Sequence, residues 1–190
     1  MIKPNRDGRD FPCLATSPCM FTPKELDKLQ ALSDEKSEPG TLSGSVKDDS
    51  IRRSRVLWLH PSDGYQWLFD RLLGVVRQLN EEHYHFDIEN FDGGIQLARY
   101  DEADDGFYTW HMDAGERTAG RKISISVQVS DPASYDGGNL ELFYKMRPFI
   151  ADRTRGAVVS FPSWVMHRVT PVTRGVRYSL VGWVAGPRWR

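Results

Sequence analysis

The chain has 190 residues, of which 39% are hydrophobic and 27% are charged. This length suits one domain with a short extension, and the composition argues against global disorder. The 25 basic and 26 acidic side chains give a net charge of −1. This balance argues against a dedicated nucleic-acid or membrane-surface binder, because such proteins usually carry a basic excess.

The N-terminal segment shows no sign of secretion or of disulfide bonding. Cys13 and Cys19 are the only cysteines, and this pair is too sparse for a disulfide framework and lacks the usual zinc spacing. No stretch approaches the ~18 apolar residues of a membrane span, and Met1–Arg9 leads into no signal-peptide core. We therefore expect two reduced thiols in a cytoplasmic protein without a membrane anchor.

Two helices are predicted in the first half of the chain. Thr22-Pro23-Lys24-Glu25 combines an N-cap, a first-turn proline and a capping-box glutamate, which predicts a short helix to about Leu32. Residues 33–50 are polar and predict a mobile loop. A second helix is predicted after Pro61-Ser62. Its apolar stripe recurs at three- and four-residue steps and comprises Tyr65, Leu68, Phe69, Leu72, Val76 and Leu79.

From Tyr84 onwards the apolar period is two, which predicts short strands. The alternating sets are Tyr84/Phe86/Ile88, Ile95/Leu97, Ile123/Ile125/Val127/Val129, Leu140/Leu142/Tyr144, Ala157/Val159/Phe161 and Val176/Tyr178/Leu180. No helix-length segment separates them, which disfavours a parallel fold. We predict a mainly β fold, an antiparallel sandwich or barrel with N-terminal helices packed outside. Residues 1–50 form the predicted extension, with a short helix and a flexible loop, and residues 51–190 the β domain with its supporting helix.

Three residues in the β region form a candidate metal site. His111 and Asp113 are two residues apart, and alternate residues of a strand point to the same face, so one strand would present an imidazole beside a carboxylate. His167 supplies a second imidazole from a later segment. Two imidazoles and one carboxylate on one side of a metal leave three positions open, which is the facial arrangement of non-haem Fe(II) oxygenases.

Arg177 is the candidate anion-binding residue. It alternates in phase with Ser179, Val181 and Trp183, which predicts that it points into a barrel mouth instead of into solvent. A keto-acid bound at two open metal positions would need a partner for its distant carboxylate. The planar guanidinium of arginine pairs with a carboxylate in a fixed fork.

Together these residues resemble the 2-oxoglutarate- and Fe(II)-dependent oxygenases, and within them the prolyl-4-hydroxylase-like and bacterial PKHD-type hydroxylases. The resemblance spans roughly residues 90–186, about half of the chain. The motifs that carry it are Arg99-Tyr100, Tyr108-x-x-His111-x-Asp113, Tyr135-Asp136-Gly137-Gly138-x-Leu140, Phe161-Pro162-Ser163 to His167, and Val169-x-Pro171-Val172-Thr173-x-Gly175-x-Arg177.

The resemblance implies a double-stranded β-helix, a cupin-like jelly roll with supporting N-terminal helices. It implies that His111, Asp113 and His167 bind Fe(II), that Arg177 binds the distal carboxylate of 2-oxoglutarate, and that ascorbate is a further candidate cofactor. The implied reaction hydroxylates an unactivated C–H bond of an amino-acid, peptidyl or small-molecule substrate and releases succinate and CO2. Related halogenases lack the carboxylate ligand, so its presence favours hydroxylation.

Three aromatic residues are candidates for the walls of the same site. Tyr100 resembles the family tyrosine that contacts the distal carboxylate of 2-oxoglutarate, and Tyr108 is the alternative, as a residue that lines the pocket. Trp183 shares the predicted face of Arg177 and is expected to wall the site. Residues 33–50, 101–106 and 115–120 are candidate loops that close over substrate. Arg52, Arg53 and Arg55 are interpreted as a solvated basic run, with contact to an acidic substrate as the alternative.

Two other functions stay open at this point. A cupin-like metal hydrolase or isomerase would use the same two histidines and aspartate but would have no use for Arg177. A non-catalytic ligand-binding jelly roll would be favoured by a missing metal ligand, and none is missing. The prime substrate and the oligomeric state are not indicated by the sequence.

Overall fold

The computed structural model describes residues 14–18, 20–42, 47–144 and 146–188. Two α-helices precede most of the strands, α1 (Pro23–Lys36) and α2 (Gln66–Leu79). Cys13 and Cys19 lie outside the described residues. Within the described part of the chain, no helix is both long and apolar enough to cross a membrane.

A large antiparallel sheet, the major sheet, forms one wall of the fold. Its strands are β1 (Ala15–Ser17), β2 (Glu38–Pro39), β4 (Arg55–Leu59), β5 (Ile95–Asp101), β7 (Arg121–Gln128), β8 (Tyr135–Gly137), β11 (Val158–Pro162) and β13 (Val172–Ala185). Along the main path of the sheet they follow the order β1-β11-β7-β13-β5-β4-β2, and β8 pairs separately with β13.

A smaller antiparallel sheet, the minor sheet, forms the opposite wall. Its order is β10-β9-β12-β6-β3, with β3 (Arg52–Arg53), β6 (Phe107–His111), β9 (Leu140–Tyr144), β10 (Arg147–Ile150) and β12 (His167–Val169). Two antiparallel sheets, with two helices in the first half of the chain, confirm the predicted mainly β jelly roll.

The two faces of the major sheet have opposite chemistry, because successive residues of a strand point to opposite sides. The outer face is apolar and packs with α1 and α2 in the main core, to which β7 contributes Ile123, Ile125 and Val127. The inner face of β7 carries Ser124, Ser126 and Gln128, which are all buried. A buried polar face needs partners across the fold, and these partners form the site described below.

The helices are fixed by local and tertiary contacts. The predicted capping box is present, since the Glu25 N–H donates to Thr22 Oγ1 and the Thr22 N–H donates to Glu25 Oε2. Arg71 of α2 donates from both terminal nitrogens to the Glu25 carboxylate, each at 3.0 Å. Its guanidinium also lies 5.1 Å from the Phe21 ring and 4.8 Å from the Trp67 ring. These contacts hold α1 against α2.

Two local predictions are wrong in detail. Helix α1 continues to Lys36, past the predicted end at Leu32, and Glu38–Pro39 then pairs with β4, so the predicted loop begins later. Tyr84, Phe86 and Ile88 form no strand, because the chain winds through a π-helix at Asn80–Tyr84.

The side chain of Asn80 explains the second error. Its amide donates to the Phe86 carbonyl and its carbonyl accepts from the Phe86 N–H, both at 2.9 Å. These are the bonds that a neighbouring strand would otherwise supply. Tyr84 and Phe86 are still buried, and their rings stack 5.6 Å apart.

Candidate metal and anion site

The minor sheet brings the three predicted metal ligands together. His111 is the last residue of β6, and His167 lies directly opposite it at the start of β12. Asp113 lies just past β6, where its N–H donates to the Ser163 carbonyl at 2.9 Å. The prediction that Asp113 lies on the same strand as His111 is therefore wrong, because β6 ends at His111 and Asp113 is held just beyond that end. One ligand atom from each of the three residues lies within 4.8 Å of the others, an arrangement that could hold a metal ion.

Both imidazoles are oriented by backbone carbonyls. His111 Nδ1 lies 2.7 Å from the Thr109 carbonyl oxygen, and His167 Nδ1 lies 2.9 Å from that of Val165. A carbonyl only accepts, so Nδ1 carries the proton and Nε2 keeps its lone pair. The Nε2 atoms lie 3.7 Å and 3.4 Å from the oxygens of Asp113. This is the tautomer that a metal ligand requires.

The Asp113 carboxylate is held ionised. Burial opposes its ionisation, but the adjacent His167 and His111 and a hydrogen bond from Ser124 outweigh burial and lower its pKa. Ser124 Oγ of β7 donates to Asp113 Oδ2 at 2.6 Å and also lies 3.0 Å from Ser163 Oγ. Ser124 of the major sheet thus positions Asp113, which follows a strand of the minor sheet.

The environment of His111 keeps its imidazole neutral. Burial, and then the proximity of His167, lower its pKa to about 4. The Tyr108 ring stacks on the His111 ring at 3.6 Å, which shields the imidazole from solvent. A neutral imidazole at neutral pH is ready to bind a metal without first losing a proton.

The cluster opens into a cavity of about 580 Å³ between the two sheets. Arg177, Ser179, Val181 and Trp183, the alternating residues of β13, all line it, and so do Tyr100 and Tyr108. Two of the three candidate loops reach the cavity. Residues 115–118 line it, and so do Thr41 and Leu42 of the 33–50 segment. No residue of the 101–106 loop lines it. The cavity is therefore lined by every candidate metal, anion and aromatic residue, but not by the 101–106 loop.

Arg177 is a buried cation held by neutral groups. It is only 2% exposed, and its terminal nitrogens donate to Ser179 Oγ at 3.2 Å and to Gln128 Oε1 at 3.3 Å. Among the described residues, no carboxylate lies within ion-pair distance of its guanidinium. A buried charge without a counter-ion is costly, so this arrangement suits a site that receives an anion.

The three aromatic candidates occupy different parts of the cavity. Tyr100 is directly opposite Arg177 in the β5–β13 pair, and its ring centre lies 5.6 Å from the guanidinium carbon. Tyr108 lies against His111, and burial raises the pKa of its phenol to about 12. Trp183 is 7% exposed, and its buried indole N–H helps to lower the pKa of Asp113 although no described acceptor meets hydrogen-bond geometry.

Sequence reasoning missed two polar residues that line the cavity, Gln96 and Arg52, and a third, Gln128, that contacts Arg177 without lining the cavity. Gln128 contacts Arg177, and Gln96 contacts Arg52, which is 5% exposed and lines the cavity. The interpretation of Arg52 as part of a solvated basic run is therefore wrong, because β3 pairs with β6 and carries Arg52 inward. Gln96 and Gln128 were detectable as polar positions that alternate with apolar ones in predicted strands.

The fold and the cluster together define a class, a jelly roll with a His-Asp-His cluster able to hold a metal. Residues 95–185 match the family model described as the 2OG-Fe(II) oxygenase superfamily. This part of the chain, just under half of its length, is therefore similar to that superfamily.

Curated relatives match part of the chain. A PKHD-type hydroxylase of Hyphomonas neptunium is 38% identical over 73 residues, which are 38% of this chain and 33% of the relative. A PKHD-type hydroxylase of Cupriavidus metallidurans is 38% identical over 81 residues, 39% of this chain and 36% of the relative. The matches thus span about a third of the length of these relatives.

Solved structures share the fold over nearly the whole chain. A prolyl-4-hydroxylase of Pseudomonas putida superposes with a TM-score of 0.72 at 20% identity, covering 92% of this chain and 93% of its own. A prolyl hydroxylase of Trichoplax adhaerens, in complex with a hypoxia-inducible-factor peptide fragment, superposes with a TM-score of 0.75 at 17% identity. It covers 91% of this chain and 83% of its own.

Proposed function

We propose that the protein is an Fe(II)- and 2-oxoglutarate-dependent dioxygenase that hydroxylates an unactivated C–H bond of an amino-acid, peptidyl or small-molecule substrate. One observation carries the proposal. The His-Asp-His cluster and the buried Arg177, which has no acidic partner among the described residues, open into the same cavity.

The cluster fits Fe(II) as the resident metal. His111 and His167 offer Nε2 with the tautomer fixed, and Asp113 offers an ionised carboxylate oxygen. Two histidines and one carboxylate are the ligand set of non-haem Fe(II) oxygenases, which leave further positions open. All three residues line the cavity, so a metal that they held would be accessible to molecules bound there.

Arg177 fits the distal carboxylate of 2-oxoglutarate. A guanidinium has five N–H donors, and the bonds to Ser179 and Gln128 leave others for a two-point contact with a carboxylate. Tyr100 lies alongside and narrows this end of the cavity. Burial strengthens such a contact, because little water competes for the donors.

The bound iron and 2-oxoglutarate supply the oxidising chemistry, in which 2-oxoglutarate, O2 and R–H become succinate, CO2 and R–OH. The chain itself binds, orients and shields. His111, His167 and Asp113 fix the metal, Arg177 fixes the co-substrate, and the walls exclude water that would compete for open positions. Solved neighbours support a peptide as one substrate class, since the Trichoplax adhaerens structure contains a peptide fragment.

The test separates binding from turnover. Anaerobic titrations measure Fe(II) and 2-oxoglutarate binding, and aerobic succinate release then measures turnover with candidate substrates. We expect His111→Ala and Asp113→Ala to abolish metal-dependent 2-oxoglutarate binding, and Arg177→Ala to weaken 2-oxoglutarate binding but leave Fe(II) binding intact. Arg174→Ala is the matched control, because Arg174 is an exposed arginine on β13 that pairs with Asp136.

Two outcomes would favour the alternative functions. Metal-dependent activity without a requirement for 2-oxoglutarate would indicate a hydrolase or isomerase. Tight 2-oxoglutarate binding with no succinate release across the substrate panel would indicate a binding protein. Unchanged metal binding in both ligand variants would refute the site itself.

A further inference from the structure

The cavity contains a second buried guanidinium. Arg52 of β3 is 5% exposed and lines the same cavity as the metal cluster. Its nitrogens donate to Ser54 Oγ at 2.7 Å, to Gln96 Oε1 at 3.2 Å and to the Thr41 carbonyl at 3.4 Å. All three acceptors are neutral, and among the described residues no carboxylate forms an ion pair with Arg52.

The surroundings of Arg52 repeat those of Arg177. In each case the serine two residues later accepts one hydrogen bond, Ser54 for Arg52 and Ser179 for Arg177. In each case a buried glutamine of the major sheet accepts a second one through Oε1. Each guanidinium also lies near a tyrosine ring, with Arg52 4.9 Å from Tyr108. The fold thus builds the same kind of positive site twice.

A neutral acceptor orients a guanidinium without cancelling its charge. A glutamate at position 96 would form a closed ion pair and leave no demand for an external anion. The glutamine that is present holds the fork in place and leaves the positive charge available. Since a buried unpaired charge is costly, the repeated use of glutamine points to a ligand that completes each site.

The two positive sites are distinct. Gln96, which contacts Arg52, and Tyr100, which contacts Arg177, lie four residues apart on β5, a separation of ~13 Å along a strand. Arg52 lies on the Tyr108 side of the cavity, and Tyr108 stacks on His111. An anion at Arg52 would therefore lie near the candidate metal ligands but away from the end of the cavity where Arg177 would bind 2-oxoglutarate.

The wall around Arg52 suits the rest of an organic molecule. Trp58 lies directly opposite Gln96 in the β4–β5 pair, lines the cavity and leaves 46% of its surface exposed. Its indole lies 6.2 Å from that of Trp183. A flat apolar surface beside an anchored charge binds a molecule that has an acidic group and an apolar part.

We infer that Arg52, positioned by Gln96 and Ser54, binds a carboxylate of the prime substrate, which is therefore an organic acid. The inference rests on the proposed function, because it assumes that Arg177 is occupied by 2-oxoglutarate. The same chemistry fits a free small acid and an acidic group of a peptide, and the experiment below separates them.

The experiment uses 4-fluorobenzoate as a probe, with 4-fluorobenzamide as its uncharged match. Fluorine NMR, in the absence of oxygen, measures the binding of each probe to the 190-residue chain loaded with Fe(II) and saturated with 2-oxoglutarate. We expect the benzoate to bind about tenfold more tightly or better than the benzamide, which corresponds to one hydrogen bond to a charged group. Equal binding of the two, or no binding of the benzoate, would overturn the inference.

Two variants and a control assign the binding to Arg52. Arg52→Gln removes the charge, and Gln96→Glu keeps Arg52 but gives it an internal counter-ion, so both should weaken benzoate binding by about tenfold or more. Arg55→Gln is the control, since Arg55 bonds to Ser37 and does not line the cavity. Unchanged benzoate binding in Gln96→Glu would contradict the inference even where Arg52→Gln fails to fold.

Two further measurements separate the possible failures. 2-Oxoglutarate affinity should be unchanged in Arg52→Gln, and a large loss there would make Arg52 the co-substrate anchor and overturn the inference. Failure of the wild-type protein to bind Fe(II) and 2-oxoglutarate would refute the proposed function instead. Displacement of the probe by N-acetylated amino acids identifies a small acid as the ligand class, and displacement only by longer peptides with acidic groups identifies a peptide.

Discussion

The side chain of each candidate ligand is positioned by a hydrogen bond with a neighbouring group. Thr109 and Val165 orient the imidazoles, and Ser124 reaches across from the major sheet to Asp113. Such outer contacts fix the geometry of a metal site and tune its affinity. The affinity of the site should therefore respond to residues that never touch the metal.

Ser124→Ala should lower Fe(II) affinity by about tenfold, because it removes the 2.6 Å bond that orients the Asp113 carboxylate. Anaerobic Fe(II) titration measures the change. Ser126→Ala is the matched control on the same buried face of β7. An Fe(II) affinity equal in the two variants would show that the bond from Ser124 does not position Asp113.

At the scale of single residues, the sequence predicted those site residues that belong to spaced motifs. His111, Asp113, His167 and Arg177 were all predicted as one site, and the structure places them around one cavity. The burial of Arg52 in the cavity could not be predicted, because the direction of its side chain depends on the pairing of β3 with β6. That pairing joins residues more than fifty positions apart, and two residues of strand carry no periodic pattern.

At the scale of elements, α1 is joined to α2 through one carboxylate. Hydrogen bonds from Arg71, and then from the Thr22 backbone, lower the pKa of Glu25 from 4.5 to about 2. Because the folded pKa lies below the unfolded one, Glu25 stabilises the fold fully above pH 4.5. That contribution is lost as the pH falls from 4.5 towards 2.

Glu25→Gln should therefore lower the free energy of unfolding by about 1 kcal/mol at neutral pH, and the difference from wild type should shrink between pH 4.5 and 2. Urea unfolding across this pH range measures it. Glu35→Gln, which changes an exposed carboxylate on the same helix, should show no such trend. A difference for Glu25→Gln that stays constant with pH would refute the assigned cause.

Glycines mark the positions where elements need an unusual backbone. Gly175 in β13 has a φ of +72°, and a Cβ there would lie 2.3 Å from the Ser134 carbonyl oxygen. Gly74 is exposed within α2, and a Cβ there would meet no atom within 4 Å. The same substitution should therefore have opposite effects at the two positions.

Gly175→Ala should lower the free energy of unfolding by more than about 1 kcal/mol, since a left-handed backbone strains any residue with a Cβ. Gly74→Ala should raise it by up to about 1 kcal/mol through better helix propensity. Denaturant unfolding of both variants provides the comparison. Destabilisation by Gly74→Ala would show that this face of α2 has a packing partner.

The predicted elements were correct where the periodic pattern was long. Helix α2 follows its three- and four-residue apolar period, and strands β5, β7 and β13 follow their alternation of apolar and other residues. The prediction of a strand around Tyr84 was wrong because a π-helix and the Asn80 side chain bury Tyr84 and Phe86 there. Burial of these two alternate residues gives the same apolar pattern as a strand. The predicted domain boundary near residue 50 stays a prediction, although β1 and β2 precede it and pair within the major sheet.

At the scale of the whole molecule, the site joins the two sheets. The minor sheet and its ends provide His111, Asp113 and His167, and the major sheet provides Arg177 and Ser124. A co-substrate that binds both the metal and Arg177 would bridge the walls. Metal binding and 2-oxoglutarate binding should therefore be coupled.

We expect 2-oxoglutarate to raise the unfolding temperature substantially only when a divalent metal is present, because ligands that bind the folded state stabilise it in proportion to their affinity. Thermal unfolding with metal alone, 2-oxoglutarate alone and both together measures the coupling. Chelation of the metal should remove the effect of 2-oxoglutarate. Additive shifts would show that the two sites act independently.

The edge strand β1 has a consequence for biosynthesis. Ala15 pairs with Ser160 across the sheet, and the next segment after β11 supplies the Ser163 carbonyl that holds Asp113. During translation β1 and the His111–Asp113 half of the site leave the ribosome without these partners. A nascent chain that ends before residue 167 carries only part of a metal site. If the three residues bind iron as proposed, all three can coordinate it only after translation has passed His167.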